Sequence, residues 1–270
     1  MNSSRKAVII SASSDIGVAL CKSWRSLGWS VLGTFRTRSP AVEELERVHK
    51  IPLFHCDLLD PHSLQAALSA LEQETWDILV FAPGWMEPIG HFDEVDFSDW
   101  EKGVSVNFLK PLQILHRLLP KRGQHRPTVL FFAGGGINSA VARYSSYTIS
   151  KIALTKMCEL LDAEIPDTRF VIVGPGWVNT KIHEATLRAK EAAGPNFQRT
   201  VERIQKEEWI PMEKVVACCT YLVTSPCEAI SGRNFSTAFD QWGTRDLEEA
   251  LVQNQEMYKL RRQGNEWGKQ

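Results

Sequence analysis

The sequence is short of nearly every feature that marks a specialised class of protein. It has no charge bias, since 31 Lys+Arg stand against 32 Asp+Glu for a formal net charge of −1. That removes the long-range attraction on which nucleic-acid and anionic-membrane binders rely, so neither partner is expected. It has no long apolar run: Ile78 to Ala82 and Val129 to Ala133 are strand-sized, far short of the roughly 20 residues needed to span a bilayer. After Lys6, only Ala7 to Ile10 is apolar, too little for a secretory h-region. Six cysteines (Cys21, Cys56, Cys158, Cys218, Cys219, Cys227) show neither CxxC nor His-partnered spacing. They read as reduced, buried thiols of a cytoplasmic protein, with no metal site. Low-complexity linkers and internal repeats are also missing. The remainder is a 270-residue chain, 43% hydrophobic, with material for one full core.

Short apolar runs alternate with longer helical patterns. The runs are Ala7–Ile10, Val31–Phe35, Pro52–Phe54, Ile78–Phe81, Val129–Phe132, Phe170–Val173 and Asn234–Ser236. Continuous rather than alternating hydrophobicity is what a strand needs when helices cover both faces of its sheet. Helices are predicted around 17–27, 62–73, 98–119, 147–164 and 212–224. The pattern specifies an α/β fold, a single doubly wound parallel sheet of seven strands. Residues 177–210 stand out as an insertion after the sixth strand. Residues 243–270 read as an amphipathic helix, with Leu247, Leu251, Asn254 and Tyr258 at 3–4 spacing.

Glycine is scarce where it would carry most information. The first strand is followed by Ser11-Ala12-Ser13-Ser14-Asp15-Ile16-Gly17, a tight turn of small residues opening a helix. Such a turn presents backbone N–H groups and a positive dipole to a pyrophosphate. Of the three glycines usual in a dinucleotide fingerprint only Gly17 is present, with Ser11 and Asp15 in the other places. The turn is therefore either a nucleotide site or a plain serine-rich connection. Arg36, with Arg38 beyond it, ends the second strand, where a basic residue favours an adenosine 2′-phosphate and hence NADP(H) over NAD(H). Asp57 and Leu58, after the third strand, stand where an adenine edge would lie.

Tyr147 and Lys151 open the 147–164 helix four residues apart, on one face. An ammonium beside a phenol lowers the phenol pKa and makes it a usable general acid or base. These residues, taken in order with Ser11 to Gly17, Asp57, Phe81-Ala82-Pro83-Gly84, Asn107 and Pro175-Gly176-Trp177-Val178-Asn179-Thr180, make the chain resemble the short-chain dehydrogenase/reductase family over residues 5–242. The resemblance implies a Rossmann-type catalytic domain over 1–242, with 177–210 as a substrate lid and 243–270 as a C-terminal helical extension. It implies Tyr147 as the acid/base, Lys151 as the residue that holds the nicotinamide ribose, and Asn107 as organiser of a proton-relaying water. Ser11, Ser13, Ser14, Ile16, Arg36, Asp57, Leu58, Ala82, Pro83 and Gly84 would line the cofactor with Tyr147 and Lys151. Pro175, Gly176, Val178 and Thr180 would cradle its carboxamide. Pairing into a homodimer or homotetramer through the helices of Asn107 and Tyr147 is implied as well.

The chain departs from that family in three places. Where a catalytic serine usually stands, 13 residues before the tyrosine, there is Gly134. Ser139 on a shifted loop or the glycine N–H groups could replace its hydroxyl; otherwise the chemistry is lost. Phe81-Ala82 replaces a pair of asparagines. Tyr144, seven positions before Lys151, repeats a spacing found in enoyl-thioester reductases. On the substrate side Trp85, Trp177 and His183 are expected over the nicotinamide. The leading expectation is an NADP(H)-dependent oxidoreductase that interconverts a carbonyl and a secondary alcohol on a small or nucleotide-linked metabolite. The alternatives are enoyl-type reduction through Tyr144 and a nucleotide-binding sensor or scaffold.

Overall fold

Along β5 (Thr128–Phe132), Val129 and Phe131 point to one side of the sheet, and Leu130 and Phe132 to the other. All four are buried, because both sides are covered by helices and every side chain needs an apolar character. The computed structural model, which describes residues 5–263, extends this to six further strands: β1 (Lys6–Ile10), β2 (Ser30–Phe35), β3 (Leu53–His55), β4 (Ile78–Phe81), β6 (Arg169–Gly174) and β7 (Arg233–Ser236). They form one parallel sheet in the order β3-β2-β1-β4-β5-β6-β7. The chain's winding reverses between β1 and β4. That leaves a crevice at their carboxyl ends, where ligands of open α/β sheets bind.

One face of the sheet is covered by α1 (Asp15–Ser26), α9 (Met212–Thr224) and α10 (Arg245–Gln253), through Leu20, Trp24, Val215, Leu222, Leu247 and Leu251. The other is covered by α3 (Pro61–Leu71), α5 (Lys110–Leu118) and α6 (Ser145–Glu164), through Leu64, Leu68, Ile114, Leu118, Leu154 and Cys158. A short helix α2 (Pro40–Arg47), not expected from the sequence, begins with Ser39 as N-cap and Pro40 in its first turn. Its apolar face is only Val42 and Leu45, too few for periodicity to reveal it. The helix expected over 98–119 is interrupted. After α4 (Phe97–Val104), residues Ser105–Leu109 form a π-helical turn before α5 begins. Insertions of this kind are common at functional sites, and this one carries Asn107.

The 177–210 segment contains α7 (Glu184–Ala189) and α8 (Pro195–Gln205). The C-terminal helix is shorter than its pattern suggested: α10 ends at Gln253, and Asn254 is already extended. Tyr258 has a positive φ, and its carbonyl accepts the Asn234 N–H at 2.9 Å, so the tail returns to the last strand as a loop. That loop is gripped by Arg233, 1% exposed, which donates to the carbonyls of Leu251 (2.7 Å), Asn254 (3.0 Å) and Met257. Residues 264–270 of the expected extension lie outside the described residues. All six cysteines are free thiols, and no described helix is long and apolar enough to cross a membrane.

Candidate active site

The β1–α1 turn sits at the crevice. Ser11 stands where a glycine is usual and takes the left-handed conformation that glycine would supply, φ 61°, with its N–H donating to Thr34 Oγ1 at 3.0 Å. Ser14 caps α1 by accepting the Gly17 N–H at 3.1 Å. A Cβ at Gly17 would lie 2.6 Å from the Ser11 carbonyl, so this glycine is obligatory for the close packing of turn and helix. Asp15 fills the remaining glycine place and is engaged by the lid. The Lys181 N–H donates to its Oδ2 at 2.8 Å, and Lys181 Nζ donates to the Ser13 carbonyl at 2.6 Å. Nothing in the turn alone signalled this partner 166 residues away.

Arg36 and Arg38 have separate fates. Arg38 is ion-paired with Glu46 at 2.7 Å, and that pairing holds its guanidinium pKa above the ordinary value. Arg36 has no ion pair among the described residues and lies over the Trp85 ring, 5.1 Å from its centroid. Trp85, grouped by sequence with Trp177 and His183, thus has the end of β2 as its neighbour. Its backbone is clamped by Asn107, which accepts the Trp85 N–H at 3.0 Å and donates to the Trp85 carbonyl at 2.7 Å and to the Gly103 carbonyl at 2.9 Å. Both Asn107 N–H donors are therefore spent on backbone. Asp57 turns its carboxylate onto the Leu59 N–H at 2.9 Å, and the neighbouring Leu58 is buried. Phe81 stacks on Phe131, with centroids 5.1 Å apart, so ring packing stands where the family has a polar residue.

Tyr147 and Lys151 share the first turns of α6. Lys151 is 3% exposed, and its Nζ donates to the Pro83 carbonyl at 3.3 Å and sits 5.7 Å from the Tyr147 ring centroid. Burial lowers the Lys151 pKa to about 8. For Tyr147 burial also dominates and pushes the phenol up to about 12. This reverses the expected lowering by Lys151, because the ammonium lies over the ring and not at the hydroxyl. Gly134 lies directly against the pair: a Cβ there would be 2.8 Å from Tyr147 Cε1 and 2.9 Å from Lys151 Cγ. Ser139 is exposed on its loop.

The 177–210 segment lies across the crevice. Ile182 packs on Gly84, where a Cβ would be 2.8 Å from its Cδ1. Arg188 pairs with Glu87 at 3.2 Å, and the buried Tyr144 hydroxyl bonds Thr186 Oγ1 at 2.9 Å. Tyr144 thereby joins the 177–210 segment to α6. The Pro175–Thr180 segment leads into the lid, with Gly176 at φ 78° and Thr180 just ahead of a 3₁₀ turn. His183 stacks on Trp177, with centroids 4.2 Å apart, and its Nε2 lies 2.9 Å from the Val178 carbonyl. Arg203 covers Trp177 at 5.7 Å. Burial lowers the His183 pKa, which keeps its ring neutral at pH 7. A cavity of about 280 Å³ opens between turn and lid, lined by Asp15, Asn179, Thr180, Lys181, His183 and Glu184 among others. Glu87, Ile182 and Thr186 escaped the sequence reading because their roles lie in lid contacts that no motif announces.

A parallel sheet with this strand order, a capped helix N-terminus at its switch point and a tyrosine–lysine pair beside it define a dinucleotide-binding oxidoreductase fold. A family model described as short chain dehydrogenase matches residues 5–191. A short chain dehydrogenase of Pseudocercospora fijiensis is 27% identical over 258 residues, covering 87% of this chain and 81% of that protein. An uncharacterised oxidoreductase of Saccharomyces cerevisiae is 27% identical over 120 residues, 44% of this chain and 46% of that protein. Among solved structures, actinorhodin polyketide ketoreductase with NADPH superimposes with a TM-score of 0.75 at 20% identity, covering 86% of this chain and 95% of that one. The chain belongs to the short-chain dehydrogenase/reductase family, oxidoreductases that act on CH–OH/C=O groups.

Proposed function

We propose that this protein is an NADP(H)-dependent reductase that converts the carbonyl of a small or nucleotide-linked metabolite into a secondary alcohol, with Tyr147 as proton donor. The observation that carries this reading is the Tyr147/Lys151 pair on the first turns of α6, its lysine buried against the Pro83 carbonyl at the end of β4. A phenol pushed up to about 12 is protonated throughout the neutral range, so it is ready to give a proton to a carbonyl oxygen and poorly suited to take one. The dinucleotide, when bound, supplies the hydride. Support for its fit comes from the Ser14-capped turn, the close packing at Gly17 and the free guanidinium of Arg36. Lys151 meets the Pro83 carbonyl at the end of β4, a place from which an ammonium can hold a ribose hydroxyl. The Trp177/His183 stack and the Ile182 contact place apolar surface along the crevice, which would help to shield bound reactants from water.

A second reading is favoured by Gly134 and Asp15: a protein that binds the dinucleotide without transferring hydride. The second copy expected through α5 and α6 is supported by the exposed apolar side chains Leu109, Ile149 and Leu160 on and beside those helices. Titration with NADPH, NADP⁺ and NADH, followed by a carbonyl panel monitored at the reduced-nicotinamide band, tests the proposal. Tighter NADPH binding with consumption on at least one carbonyl class is expected. NADH bound as tightly as NADPH removes the cofactor preference, and binding without consumption favours the second reading.

A further inference from the structure

Trp85 occupies a position between two parts of the site that the family pattern treats separately. On one side its backbone N–H and carbonyl are both held by the buried Asn107 amide, at 3.0 and 2.7 Å. Both backbone groups are thus fixed to the π-helical turn, which sets the point from which the side chain leaves. On the other side its indole face carries the Arg36 guanidinium at 5.1 Å. Trp85 is also partly buried against the core cluster on this face of the sheet.

An arginine stacked on an aromatic face still offers its N–H edge, because stacking uses the plane of the guanidinium and leaves its donors pointing outward. An exposed arginine at a strand end would otherwise lose rotamer freedom on gripping a phosphate, a cost that preorganisation removes. The other basic residue of this strand end is committed elsewhere, Arg38 lying on Phe35 at 5.1 Å and pairing with Glu46. A 2′-phosphate arriving at the end of β2 would therefore meet one guanidinium, and that one is aimed by Trp85.

We infer that Trp85 is a positioning residue for dinucleotide selectivity: held by Asn107, it orients Arg36 toward the adenosine 2′-phosphate. This rests on the NADP(H) reading above. It assigns Trp85 to the cofactor's adenosine end and not to the substrate.

The test uses fragments that report on that end alone. Adenosine 2′,5′-bisphosphate and adenosine 5′-monophosphate are titrated by calorimetry into the wild-type protein, Trp85→Leu, Trp85→Phe, Arg36→Ala and the Trp85→Leu/Arg36→Ala double variant. Leucine keeps the apolar packing and removes the π face, whereas phenylalanine keeps a face. The wild-type protein is expected to prefer the bisphosphate. Trp85→Leu should reduce that preference roughly three- to tenfold with monophosphate binding little changed, and Trp85→Phe should retain most of it. Arg36→Ala should abolish the preference, and adding Trp85→Leu to it should change nothing further. Equal weakening of both probes in Trp85→Leu, additive effects in the double variant, or a preference that survives Trp85→Leu would overturn the inference alone. A wild-type protein that binds the monophosphate as tightly as the bisphosphate would overturn the NADP(H) reading together with it.

Discussion

Gly134 and Tyr147 are in contact so close that a Cβ on the glycine would lie 2.8 Å from the Tyr147 ring. The place where the family carries a hydroxyl is therefore filled by the tyrosine itself. Replacing Gly134 with Ser should not restore a missing donor. It should displace Tyr147 and Lys151, lower turnover, and destabilise the fold by about 1–3 kcal/mol as overpacking does. Thermal unfolding and turnover on an identified carbonyl check this, and a Gly134→Ser protein that is faster and as stable would contradict it.

Tyr147→Phe should lower carbonyl reduction by about 10²–10⁴-fold, the usual loss on removing a positioned acid, while dinucleotide affinity stays nearly constant. Paired kinetic and binding measurements separate the two effects. Full turnover in this variant removes Tyr147 from the chemistry.

The pH dependence follows from Lys151. Burial lowers its pKa to about 8, so its charge is lost as pH rises through that value, while Tyr147 remains a phenol until about 12. Reductive kcat/KM should accordingly fall above about pH 8 and stay flat below it. The stability linkage has the opposite slope. Between about 8 and the ordinary lysine value the unfolded chain binds a proton that the folded chain has released, so this residue's contribution increases stability as pH rises over that window and is constant below it. A Lys151→Met variant should lose the activity step near pH 8, and a step that persists assigns it to another group.

Tyr144→Phe removes only the hydroxyl that bonds Thr186 Oγ1. A cost of about 1 kcal/mol in stability is expected, with carbonyl reduction retained. Abolished activity with the lid still ordered would make Tyr144 the acid and favour enoyl-type chemistry.

Asp15 and Lys181 tie the turn to the lid. Asp15→Ala should free the segment around 181–205 and speed its cleavage by a protease at limiting dose, since loosened loops are cut first. Unchanged cleavage would show that Tyr144, Ile182 and Arg188 hold the lid without it.

Much of this fold was open to reading before any coordinates. The strands appear as continuous apolar runs because both faces of the sheet are covered, and all seven fall within a residue or two of their runs. Helix α2 was hidden because two buried side chains, Val42 and Leu45, make no visible period. The π-helical turn at Asn107 adds a single residue to the winding, a phase shift too local to show in an apolar pattern spread over 98–119, so a long helix and a broken one look alike in sequence. Tyr147 and Lys151 were found by spacing within one helix, whereas the Trp85–Arg36 stack and the Asp15–Lys181 contact join residues far apart in the chain. Burial in three dimensions, which sequence does not carry, reversed the expected direction for the Tyr147 pKa.

The arginine that opens β7 has a bearing on how the molecule is completed. Arg233 lies inside the core, yet the carbonyls that receive its N–H groups belong to residues 251–257, beyond the last strand. Without those residues a cation would sit in the last strand of the sheet without these partners, a state that costs several kcal/mol when the surroundings are dry. The packing of the seventh strand is thus coupled to the ordering of residues 251–257. A protein shortened to residue 242 would keep every strand and lose the acceptors of Arg233, so the loop after α10 is part of what holds the sheet's edge.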